Sequence, residues 1–132
     1  MSFLQDNLEQ CKIGFNGEDT VRSWFINNKI PFMQVDIMFK HKDAWCLGEI
    51  KTQEKFTAPP FDGHGLPQWQ IDRRIEFYKD TNIKPFLIVY DLEEKCLYIE
   101  SLLKLIKMDS FKTKGKKPRT IFKLSSFKRI TI

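Results

Sequence analysis

The chain has 132 residues, 42% hydrophobic and 30% charged, enough for one domain with a real core and too few for two. No apolar run approaches the ~18–20 residues that a bilayer span requires. The start, Met1-Ser2-Phe3-Leu4-Gln5-Asp6, also lacks the basic opening and long apolar centre of a secretory leader, so a cytoplasmic protein with no membrane partner is expected. The net charge of +5 is uneven, because residues 1–100 hold 12 Lys/Arg against 16 Asp/Glu while residues 101–132 hold 10 against Asp109 alone. That asymmetry points the C-terminal part toward a polyanion.

In chain order, a short helix is expected around Phe3 to Cys11, followed by one from Gly17 to Asn28. In the second, Val21, Trp24, Phe25 and Asn28 recur at helical spacing and Asn16 or Gly17 can cap the start. Glu18 and Asp19 fall in its first turn, where negative charge suits the helix dipole. Pro31 to Phe39 alternates as a strand, with Asp36 on its less apolar side, and His41-Lys42-Asp43 reads as a hairpin turn into a second strand from Ala44 to Thr52. Phe56 to Leu66, with Pro59-Pro60 and Gly63-His64-Gly65, reads as a loop. Pro67 opens a helix to about Thr81, with Ile71, Ile75 and Tyr78 as its inward stripe and Arg74 beside them.

Phe86 to Tyr90 is a continuous apolar run suited to a central strand buried on both faces. A turn from Asp91 to Lys95 and a strand from Cys96 to Ile99 follow, then a short helix capped by Ser101 and running through Lys107. Residues 109–119 read as a lysine-rich loop, and Ile121 to Leu124 and Arg129 to Ile132 as closing strands. The expected domain is thus a single one over 1–132, of class α/β, with a mixed central sheet, flanking helices, and the basic loop and closing strands within 108–132. Cys11, Cys46 and Cys96 form no CxxC or Cys/His cluster, which disfavours structural zinc and fits buried reduced thiols.

The chemistry concentrates in Asp36 and, thirteen positions on, Gly48-Glu49-Ile50-Lys51. Residues i and i+2 of a strand share a face, so Glu49 and Lys51 project together, and a neighbouring strand brings Asp36 beside them. Charges in apolar strands need a partner or a task. Two acids and a lysine suit metal-assisted phosphodiester hydrolysis, with Mg²⁺ (or Mn²⁺) held by Asp36, Glu49 and the backbone carbonyl of Ile50. Lys51 would orient or deprotonate the attacking water, or neutralise phosphate charge. The plain alternative for Glu49 and Lys51 is a same-face ion pair on an exposed strand. Asp43 competes with Asp36 for the ligand role but falls in the turn.

Helix with an acid, strand with Asp, strand with Glu-x-Lys, then helix and strand resembles, over roughly residues 14–92, the core of the PD-(D/E)XK nuclease superfamily. In compact size and tight Asp-to-Glu spacing the chain is similar to small Holliday-junction-resolvase-like endonucleases. The resemblance implies a restriction-endonuclease-like core in which Asp36 and Glu49 bind the metal and Lys51 is catalytic. It further implies that Glu18 on the preceding helix assists, through water where it reaches the metal, and that Gln70 on the following helix belongs to the site. A homodimer cutting branched or duplex DNA is likewise implied. The Pro that often precedes the family's Asp is replaced by Val35.

Outside that set, Arg73 and Arg74 are phosphate contacts or partners of Glu76 and Asp80 on the helix surface. Lys112, Lys114, Lys116, Lys117 and Arg119 are candidates for sequence-independent phosphate binding. His64 is a substrate contact or a turn histidine between two glycines, and Trp69 a packing or clamp residue rather than a base-stacking platform. Two rivals from other classes remain: a catalytically idle binding module on the same fold, and a metal-independent protein whose basic tail holds an acidic partner.

Overall fold

Lys42 and Asp43 both adopt left-handed backbone (φ 51° and 63°), the pair of positive φ values that matches a two-residue turn to the twist of its flanking strands. They join β1 (Ile37–His41) to β2 (Ala44–Gln53), which pair antiparallel from Ile37↔Gly48 to His41↔Ala44. The computed structural model describes residues 17–58 and 60–132, and the short helix expected around Phe3 to Cys11 lies outside the described residues. The chain divides into two compact units, Met1–Gln34 and Val35–Ile132.

In the first unit, α1 spans residues 17–27. Its end is a Schellman turn: Lys29, at φ 55°, donates to Ile26 O (3.1 Å) and Ile30 donates to Phe25 O (2.9 Å). Phe25 is half-buried against the Phe32 ring (5.6 Å), whereas Val21 and Trp24, which recur with it at helical spacing, are exposed.

The second unit is α/β with a mixed central sheet. Five strands run in the order β1-β2-β5-β6-β9, where β5 is Lys84–Asp91, β6 Cys96–Ser101 and β9 Lys128–Thr131. Only β2 and β5 are parallel, from Cys46↔Lys84 to Gln53↔Asp91. The connection between them carries α2 (Gln68–Thr81), which ends at Asn82 in left-handed backbone (φ 63°) with its N–H on Tyr78 O at 2.8 Å. After β6, Ser101 caps the one-turn helix α3 (Leu102–Leu105) by accepting from Leu103 N at 3.2 Å.

Two segments expected as loops contain strands. Phe56 to Leu66 contains β3 (Phe56–Ala58) and most of β4 (Phe61–Pro67), and residues 109–119 contain β7 (Ser110–Lys112), which pairs with β8 (Arg119–Lys123). Together they make a second sheet, β3-β4-β8-β7. The glycines are its means of assembly. A Cβ on Gly63 would stand 2.1 Å from Phe122 O, and one on Gly65 would stand 2.0 Å from Thr120 O, so β4 meets β8 only without side chains there. The expected closing strands both exist, in different sheets: β8 in the second, β9 at the edge of the first.

Register sorts the side chains. Leu47, Glu49, Lys51 and Gln53 share a face with Leu87, Val89 and Asp91, and through β6 with Tyr98 and Cys96. That face meets α2, α3 and the second sheet around Leu66, Ile71, Leu102, Leu105, Phe122 and Phe127, most of them fully removed from water and each contributing about 1.5–3 kcal/mol by burial. Cys46 and Cys96 are buried free thiols, as expected. At the surface, Glu94 gathers Tyr98 Oη, Lys55 Nζ (3.1 Å) and Arg129 Nε (3.3 Å). These donors hold its carboxyl down at about 2, while burial and the Glu94 bond push the Tyr98 phenol up to about 12. No helix among the described residues is long and apolar enough to cross a membrane.

Candidate functional site

Asp36 stands just before β1, in a bend, not inside a strand running from Pro31 as the alternation suggests. Its own side chain accounts for the boundary. Asp36 Oδ2 accepts from the Ile50 amide at 2.8 Å, taking the donor that a further β1 residue would otherwise pair. The bond sets Asp36 beside the Glu49–Ile50 step of β2. The N–H and C=O of a strand residue leave toward the same edge, so the Ile50 carbonyl also faces the side where the β1 ladder has ended.

Glu49 is only 6% exposed, and cations hold both its oxygens: Arg74 Nη2 lies 2.5 Å from Oε2, and Lys51 Nζ 3.3 Å from Oε1. Two charge-assisted contacts make burial of the carboxylate tolerable. Lys51 keeps about a quarter of its side chain exposed. Arg74 is therefore not the surface phosphate contact or the partner of Glu76 or Asp80 that the sequence suggests, because its side chain is buried beneath α2. The signal was present in its place beside the apolar stripe of Ile71 and Ile75, since an inward arginine requires a buried acid.

Gln70 lies one helical turn before Arg74 on the same face. Because α2 runs opposite to β2, that turn of about 6 Å matches the two-residue step of about 6.6 Å from Glu49 to Lys51. Gln70 is half-buried, and its Oε1 is buried without a hydrogen-bond partner among the described residues. An orphaned buried acceptor of this kind requires an explanation.

Glu18 belongs to the first unit, on α1, where its carboxylate meets Arg22 at 3.6 Å. Asp43 sits in the β1–β2 turn, at the opposite end of the hairpin from Asp36 and Glu49. Arg73 and Trp69 are exposed on α2, so Trp69 is not a packing residue of the core. Lys112, Lys114, Lys116 and Lys117 are exposed on β7 and the connection to β8, which is closed by Thr113 N on Arg119 O and Arg119 N on Thr113 Oγ1, each 2.9 Å. Arg119 itself is half-buried, with its guanidinium over the Phe56 ring at 5.4 Å.

His64 is neither a substrate contact nor a turn histidine. It lies in β4 and is fully buried, with Nε2 2.8 Å from Asp91 Oδ2 and Nδ1 3.1 Å from Gln53 Oε1. Gln53 donates its amide to Gly65 O at 3.0 Å, which turns its oxygen toward His64. Burial alone would raise the Asp91 carboxyl, but N–H groups of Glu94 and Glu93 and the His64 ring outweigh it and hold it below the usual carboxylate range. This network ties the two sheets together.

No family model, curated protein or solved structure matches the chain. The residues alone carry the functional reading.

The described residues include no gathered group of three or more His, Cys, Asp and Glu side chains suited to a metal. The available donors are the Asp36 and Glu49 carboxylates and the Ile50 carbonyl. Hard oxygen donors of this kind fit Mg²⁺ rather than a softer ion. Accommodating it requires Lys51 to move off Glu49 Oε1, a shift that its partly exposed side chain permits.

Proposed function

We propose that this protein is a Mg²⁺- or Mn²⁺-dependent endonuclease acting on DNA, branched or duplex, as a homodimer, and that the Val35–Ile132 unit carries a restriction-endonuclease-like core. The observation that supports this reading is the Asp36–Ile50 hydrogen bond, which brings an acid to the edge of the Glu49-x-Lys51 strand. Bound by Asp36, Glu49 and the Ile50 carbonyl, the cation would supply charge relief at the phosphate and an acidified water. Lys51, on the same face, orients that water or neutralises the phosphate. Arg74 fixes the Glu49 rotamer from below, and Gln70 offers an unengaged acceptor one turn away.

A second reading is a nucleic-acid-binding module without turnover, favoured by the occupation of both Glu49 oxygens by Arg74 and Lys51. Incubating the protein with branched, duplex and single-stranded DNA in Mg²⁺ or Mn²⁺, then in EDTA, separates the two. The enzyme reading expects metal-dependent cleavage, reduced about 10²-fold or more in Asp36→Asn, Glu49→Gln and Lys51→Ala. Binding without cleavage of every substrate would leave the module.

A further inference from the structure

At the other end of the β1–β2 hairpin, the turn, the start of β5 and α3 enclose a groove of about 410 Å³. Lys42, Lys84, Lys104 and Lys107 line it, against the single acid Glu100. That acid is already engaged, for Oε1 accepts from Ser101 N at 3.0 Å and Oε2 meets Lys104 Nζ at 3.5 Å. Lys42, Lys84 and Lys107 form no ion pair with a described residue. Ammonium groups gathered in a concave surface repel one another and draw anions, and among the described residues that line the groove four of them face one carboxylate.

We infer that this groove is a second nucleic-acid contact, binding the phosphodiester backbone independently of base sequence. Phosphate is favoured over base recognition by the lining itself. Lysines act as point charges, without the planar fork that reads base edges. Two rings line the groove, His41 and Phe86; Phe86 is 9% exposed and His41 packs edge-on to it at 5.7 Å, so the groove presents ammonium groups more than aromatic faces. From Glu49 to Asp43 in the hairpin turn is six positions, about 20 Å, so groove and site lie within one helical turn of a B-form duplex. The inference rests on the nucleic-acid reading of the protein but not on cleavage.

The test is fluorescence anisotropy with a labelled duplex in EDTA, where no cleavage occurs, across a salt series. Lys84, Lys104 and Lys107 are exposed, so the triple alanine variant retains the fold. It is expected to bind at least about tenfold more weakly, and its log K against log salt should be shallower by about 2–3, near 0.9 for each phosphate no longer neutralised. An unchanged affinity and slope overturn the inference. So does complete displacement of the duplex by millimolar inorganic phosphate or ATP, which would mark a site for one free anion. Binding in EDTA is read apart from cleavage. Wild-type binding without cleavage in Mg²⁺ therefore defeats the nuclease reading alone, whereas no wild-type binding defeats both.

Discussion

Replacing Arg74 with Met keeps most of its aliphatic volume and removes the guanidinium that holds Glu49 Oε2 at 2.5 Å. Glu49 is then left 6% exposed with one cation, Lys51 Nζ at 3.3 Å. Breaking one side of a buried pair costs about 3–5 kcal/mol, and the remaining Lys51 places the expected loss at the lower end, about 3 kcal/mol. For a chain of this size that corresponds to a Tm lower by about 10 °C. Urea unfolding of Arg74→Met, Glu49→Met and the double variant measures it, with an unchanged m value as the check that one transition is being compared. The double variant removes both charges from a site of fixed volume and should recover to within about 1 kcal/mol of wild type, giving a coupling of about 2 kcal/mol or more. A single-variant cost under about 1 kcal/mol, or a double variant as unstable as the two singles combined, would refute the claim that this pair fastens α2 to β2.

The depressed Glu94 carboxyl contributes stability above its ordinary value of 4.5 that is lost as pH falls toward about 2. The wild-type urea midpoint should therefore fall across that window, and Glu94→Gln should flatten the fall. Tyr98 has the opposite sign: its stabilisation is present below pH 10 and lost as pH rises through about 12, which a midpoint series in alkaline buffers, followed by phenolate absorbance, would show. Gly65→Ala forces a Cβ to 2.0 Å from Thr120 O and should cost about 3 kcal/mol, at the upper end of overpacking losses, measured by thermal unfolding against a surface alanine control.

Local pattern was enough for several elements. The β1–β2 hairpin follows from alternation on either side of Lys42-Asp43, β5 from the unbroken run Phe86 to Tyr90, and α2 from Pro67 and the Ile71/Ile75 spacing. Local pattern misled at Gly63 and Gly65, because a glycine that permits a close strand approach and a glycine in a turn look alike without the partner strand. That partner, Phe122, lies nearly sixty positions away. His64 was misplaced for the same reason, since neither Asp91 nor Gln53 is near it in sequence. The approach of Asp36 to the edge of β2 at Ile50 was legible because a tight hairpin joins the two segments. The Arg74–Glu49 pairing was not, because an inward arginine announces that it needs an acid without saying which.

The pairing of β4 with β8 also constrains the order of folding. Gly63↔Lys123 and Cys96↔Thr131 are long-range closures that complete the two sheets only after residues 119–131 have been synthesised. Until then β4 and β6 each expose an unpaired edge, a template for association with another chain, while loop-closure entropy slows the final docking. During synthesis the hazard falls on the glycine-bearing strand, whose backbone is bare at the two positions where its partner must fit.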